Sequence, residues 1–162
     1  MRVLYGARHY GFRQEFAPVW AAGLPQTLEA IKRSVQGERN DELFYDELIR
    51  MAPSREQAAI IESIRNDERK HNRMFRDMYR ALTGSEITGA SDEPHVGVRS
   101  YSEGLQRALF GELSAVEKYR SIWFGLPPGV YKDTVLGIIM DEQKHAAQYN
   151  YLFARNQTGP CK

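Results

Sequence analysis

Asp67-Glu68-Arg69-Lys70-His71 and Asp141-Glu142-Gln143-Lys144-His145 are two copies of one pattern, D-E-x-K-H, set 74 residues apart. The same offset lays residues 31–84 onto 105–158 without a gap. Gly37-Glu38 falls on Gly111-Glu112, Tyr45 on Tyr119 and Pro53 on Pro127. About ten of the fifty-four aligned positions are identical, and most are polar or turn residues. Chance likeness between amphipathic helices would match Leu and Ala instead. The chain therefore reads as a duplicated helical hairpin.

Apolar periodicity supports that reading. Ile61, Ile64, Glu68, His71, Phe75, Met78 and Leu82 recur at steps of three and four and trace one helical face. Val135, Ile138, Glu142, His145, Tyr149 and Leu152 do the same. Leu24 to Ile49 and Leu105 to Trp123 carry two further stripes. Ala52-Pro53-Ser54 and Leu126-Pro127-Pro128-Gly129 mark tight turns, and Pro25 is placed to open the first helix. The expected helices are 24–51, 55–82, 100–124 and 130–156. The linker 83–99 is rich in Gly, Ser, Asp and Pro. Extended, it reaches roughly 55 Å, whereas a 28-residue helix is about 42 Å long. It can run the length of the bundle. The expected fold is all-α, a four-helix bundle with one long crossover. The domain spans 24–158, with hairpins 24–82 and 100–156, and residues 1–23 form an N-terminal extension that packs on a bundle or a neighbouring subunit.

Six polar residues interrupt the apolar faces: Glu38, Glu68, His71, Glu112, Glu142 and His145. Within each E-x-x-H the two side chains point the same way, one turn apart. Glu38 lies fifteen residues before Pro53 and Glu68 fifteen after it; Glu112 and Glu142 stand in the same relation to Pro127. Residues equidistant from a hairpin turn lie level, here about 22 Å from it. Two such hairpins packed face to face bring all six side chains into one layer. Burying four carboxylates together is prohibitive unless cations neutralise them. Two divalent ions do so, with two neutral imidazoles. Mixed carboxylate and imidazole donors suit iron or manganese, with zinc possible. One Glu from each of two helices plus Glu-x-x-His from the other two is the ligand set of di-iron and di-manganese carboxylate bundles.

On these residues the chain resembles the ferritin-like superfamily, and the rubrerythrin-type di-iron proteins within it, over roughly residues 24–156. The resemblance implies that Glu38 and Glu112 are the ligands of helices one and three, and Glu68, His71, Glu142 and His145 those of helices two and four. It implies that Asp67 and Asp141 each orient the histidine of the opposite motif helix. It implies peroxide or oxygen reduction with electrons from an external donor, in a cytoplasmic homodimer. Two features depart from the family pattern. One cysteine, Cys161, cannot build the four-cysteine rubredoxin site, and Ala115 stands where an additional Glu ligand is usual. A ferroxidase or iron-handling protein, or a bundle that metal merely stabilises, are the alternatives.

Other residues carry weaker signals. Tyr45 and Tyr119, seven residues after Glu38 and Glu112, are placed to hydrogen-bond ligand carboxylates or relay electrons. Asp41 and Glu42, opposite Ala115 and Val116 in the repeat, can supply an extra ligand or an acidic ion path. Arg65, Arg69, Arg73, Arg76 and Arg80 form a stripe that is either a solvated face or a dock for an acidic donor. His9 and His95 have no ligand-like neighbours.

Composition sets the bounds. Among 162 residues, 22 Lys and Arg balance 21 Asp and Glu, a net charge of +1. That balance leaves no footprint for nucleic acid and no polybasic segment for a membrane surface. The longest apolar runs are too short to span a bilayer, and no apolar leader core is expected near the N-terminus.

Overall fold

The computed structural model describes residues 19–36, 38–89 and 96–157, with side chains from residue 23 onward except at 38 and 39. His9, His95, Cys161 and most of the extension 1–23 lie outside the described residues. The chain forms five helices: α1 Val19–Val35, α2 Glu38–Met51, α3 Arg55–Thr83, α4 Tyr101–Gly125 and α5 Val130–Gln157. There is no strand among the described residues. α1 and α2 together make one leg, and α3, α4 and α5 the other three, of a ferritin-like bundle.

Local chemistry fixes most boundaries. Ser54 caps α3 by accepting from the Gln57 N–H at 3.3 Å, and Ser100 caps α4 by accepting from the Glu103 N–H at 3.2 Å. α3 stops at Gly84, whose φ of 71° lies in the left-handed region where a Cβ is penalised. Its N–H donates to the Arg80 carbonyl at 2.8 Å.

The first leg differs from expectation. The helix begins at Val19, so Pro25 lies inside α1 instead of opening it. There, as the seventh residue of the helix, proline removes one helical hydrogen bond. The leg also breaks after Val35 and restarts at Glu38. In α4 the equivalent Gly-Glu pair, Gly111-Glu112, runs through unbroken. After the Gly-Glu pair the first leg continues with Arg39-Asn40-Asp41 and α4 with Leu113-Ser114-Ala115, and Asn and Asp are poorer helix formers than Ser and Ala. Asn72 Nδ2 and Arg76 Nη2 donate to the Val35 carbonyl, both at 3.4 Å, and satisfy the end of α1.

Two apolar cores occupy the two ends of the bundle. One joins Ile31 and Val35 of α1, Phe75 and Met78 of α3, Val116, Tyr119 and Ile122 of α4, and Val135 and Ile138 of α5. The other joins Tyr45 and Leu48 of α2, Ile61 and Ile64 of α3, Leu105 and Ala108 of α4, and Tyr149 and Leu152 of α5. α3 and α4 both begin in the second core and end in the first, so they run parallel. The crossover between them buries Ile87 in the first core and Val98 in the second, and so travels from one end to the other. Glu47 Oε1 accepts the Val98 N–H at 3.3 Å. Close approach at the second core rests on Gly104, where a Cβ would fall 2.2 Å from Leu48 Cδ2.

Candidate metal centre

Between the two cores lies a polar layer. α3 brings Glu68 and His71, α4 brings Glu112, and α5 brings Glu142 and His145. His145 is fully buried, and Glu142, His71 and Glu112 are 1%, 2% and 5% exposed. Such burial singles these groups out, because an unpaired buried carboxylate or imidazolium is costly. The leg that would supply Glu38 starts α2 at that residue, but the Glu38 side chain lies outside the described ones.

The two imidazoles face each other with centroids 5.9 Å apart. On the outer side, His71 Nε2 is 3.2 Å from Asp141 Oδ2, and His145 Nε2 is 3.3 Å from Asp67 Oδ2. Each aspartate thus reaches across to the histidine of the other motif helix. On the inner side, His71 Nδ1 is 3.0 Å from Glu142 Oε1 and 3.6 Å from Glu68 Oε1. His145 Nδ1 is 3.1 Å from the same Glu68 oxygen and 3.8 Å from Glu112 Oε2. Ligand atoms of Glu68, Glu112, Glu142 and His145 all lie within 4.8 Å of one another.

Four atoms of this cluster, Glu68 Oε1, Glu142 Oε1 and both Nδ1 atoms, are buried without a hydrogen-bond partner. An aspartate holding the Nε2–H leaves Nδ1 as a lone pair. Lone pairs then point at carboxylate oxygens, and only a cation or a proton resolves that arrangement. In the metal-free chain protons do so. Burial opposes charge on His71, but hydrogen bonds to Glu142 and Glu68 push its pKa up to about 10. His145 is likewise opposed by burial and pushed up to about 10 by Glu112 and Glu68. Burial holds the Glu112 carboxyl well above the carboxylate range. For Glu68 burial acts upward, yet the two histidines bring it below its usual value. The cluster can hold metal ions.

The sequence had given no role to Lys144, although it lies in the duplicated motif. Its Nζ donates to Asp67 Oδ2 at 3.1 Å and Asp141 Oδ1 at 2.8 Å, tying together the two aspartates that hold the imidazoles. Both aspartates are brought below their usual pKa by Lys144 and their histidines, against the upward effect of burial. Tyr149, read as an ordinary apolar-face residue, is fully buried with its hydroxyl unpaired. Its counterpart in the repeat is Phe75, an asymmetry that was the available signal.

A cavity of about 290 Å³ opens beside the layer, and Tyr45, Tyr119, Asp41 and Glu42 line it. Burial, then the charge of nearby glutamates, pushes both phenols well above their ordinary pKa, so they stay protonated at neutral pH. Glu42 Oε1 accepts from Arg69 Nε at 2.6 Å, which commits it to an ion pair. Other members of the arginine stripe are also engaged: Arg65 with Asp46, Arg76 with backbone carbonyls, Arg80 with Asp77 and Glu86. Arg73 is exposed.

The structure is an all-helical bundle that buries carboxylates and paired imidazoles between two apolar cores. Residues 29–100 match the rubrerythrin family, consistent with a ferritin-like, rubrerythrin-type chain. The match takes in the first E-x-x-H and the leg before it. The chain is also similar to the uncharacterized protein YhjR of Bacillus subtilis (strain 168), 28% identical over 127 residues, 78% of this chain and 86% of that protein. No solved structure matches the chain. No helix among the described residues is long and apolar enough to cross a membrane.

Proposed function

We propose that this protein is a di-iron, or di-manganese, oxidoreductase of rubrerythrin type that reduces peroxide or oxygen with electrons from an external donor. The observation that carries the reading is the orientation of the imidazoles: outer nitrogens held by Asp141 and Asp67, inner nitrogens aimed at buried carboxylate oxygens that lack donors. In this reading Glu68, His71, Glu112, Glu142 and His145 hold two ions, with Glu38 as the sixth ligand. A ferrous pair supplies two electrons and adjacent positions where an oxidant binds. Zinc fits the donors but supplies no electrons. The chain's own residues do the rest. Asp67 and Asp141 fix the imidazole tautomers, and Lys144 holds the aspartates. Tyr45 and Tyr119 keep their hydroxyl protons and can donate them to ligand carboxylates or to a bound oxidant. In this reading the electrons come from an external donor.

Metal analysis joined to anaerobic peroxide titration tests this reading. About two ions per chain are expected, and one peroxide should oxidise each ferrous pair faster than dissolved oxygen does. Faster oxygen reaction with iron accumulating beyond the pair would mark a ferroxidase instead. Loss of metal without any change in redox behaviour would leave the ions a structural role.

A further inference from the structure

The cavity beside the metal layer is far larger than hydrogen peroxide needs. Its volume is about 290 Å³. An apolar cavity of about 150 Å³ takes up benzene, and one water occupies about 30 Å³ of liquid. Glu68, His71, Glu112 and Glu142 form one side of it. Phe44, Tyr45, Phe75, Ala108, Ala115 and Tyr119 give it an aromatic and apolar side, and charged residues of α2, α3 and α4 form its rim. Two oxygen atoms would leave most of this space as water against aromatic rings.

The α4 wall includes two small residues one turn apart, Gly111 and Ala115. A glycine inside a helix costs about 0.5–1 kcal/mol relative to alanine. Nothing in the packing demands it here: a Cβ at Gly111 would meet no atom within 4 Å. The missing side chain keeps the space open. Lys118, also on the rim, lies over the Tyr119 ring at 4.9 Å, and the rim's arginines are engaged. Arg65 is engaged by Asp46, Arg69 by Glu42, and Arg107 by the Val96 carbonyl and the Phe44 ring. A neutral organic molecule suits the volume, the rings and the committed arginines.

We propose that this cavity seats the carbon group of an organic hydroperoxide, R–O–O–H, with its peroxide end toward the Glu68–Glu142 side. The proposal rests on the peroxide-reducing reading above and names its substrate class. In the reaction the O–O bond breaks, two electrons would come from two ferrous ions that become ferric, and two protons are taken up from the buffered solvent. The products are the alcohol R–O–H and one water.

Two measurements on the full chain test it, on the parent and on Gly111→Leu, a change that puts in a residue of higher helix propensity. First, 2-phenyl-2-propanol, the alcohol product of cumene hydroperoxide, is titrated into metal-free protein and followed by amide NMR. Saturable shifts clustered at Phe44, Tyr45 and the 108–119 stretch of α4 are expected, and their loss in the variant. Second, reduced iron-loaded protein is mixed with cumene hydroperoxide and with hydrogen peroxide. The ratio of the two oxidation rates should fall at least tenfold in Gly111→Leu, with circular dichroism and metal content as fold controls. Absent or scattered shifts, or an unchanged ratio, overturn the proposal. Oxidation by hydrogen peroxide without alcohol binding overturns it and leaves the peroxidase reading standing. Inertness to both peroxides overturns both.

Discussion

Asp141 and Asp67 hold the imidazoles of His71 and His145 from across the bundle at 3.2 and 3.3 Å, so the tautomer of each ligand is set by the opposite hairpin. Asp67→Asn and Asp141→Asn keep the shape but remove the charge that raises ligand basicity. Each should leave the fold intact and weaken metal affinity about 10–100-fold, read by competition with a chromophoric chelator. Parent-like affinity in both variants would remove the orienting role. Truncating the ligands goes further: Glu68→Ala and His145→Ala should lower the ion count per chain in elemental analysis. Protonation gives a third expectation. Both histidines rise from 6.5 to about 10 without metal, so both carry protons at neutral pH. Stability from these pairs is fully present below pH 6.5 and is lost as pH rises through about 10. Metal must displace those protons, so its affinity should rise with pH. Calorimetry in buffers of differing ionisation heat should detect proton release, and equal affinity at pH 6 and pH 8 would contradict it. The clustering of Glu68, His71, Glu112, Glu142 and His145 was legible because the two E-x-x-H copies lie equally far from Pro53 and Pro127. Lys144 was not, since its partners come from two helices at once.

At the scale of elements, the helices with strong end signals were read from sequence to within a residue or two. Ser54, Ser100 and Gly84 are such signals, each engaged in a cap. Ser100→Ala should therefore cost about 1 kcal/mol in denaturant unfolding. No change in the midpoint would show that the Glu103 N–H finds another acceptor. The first leg was misread because Pro25 and Gly37 are ambiguous punctuation: proline suits both a helix start and its early turns, and glycine both an interior and an end. Which meaning holds depends on neighbours in space, such as Asn72 and Arg76 at the Val35 carbonyl.

For the whole molecule, a polar layer between two apolar cores would make any metal it bound a structural partner as well as a chemical one. Anything that binds only the folded state stabilises it, by about 2.7 kcal/mol at a hundred times its dissociation constant. Chelation should accordingly lower the thermal midpoint, and readdition of Fe(II) or Mn(II) should restore it; an identical midpoint with and without metal would contradict this. The parallel crossover was legible from linker length. The 290 Å³ cavity was not, because it arises from side chains that are missing and from how α2 and α4 face each other. The crossover itself has a further consequence. Among its described residues it buries only Ile87 and Val98, so its main contribution is to keep one hairpin at high effective concentration near the other. A chain severed between Gly89 and Val96 should reassemble from its two pieces, with melting that depends on concentration. In that light each half is a complete dimerisation partner for its own duplicate, joined by a tether.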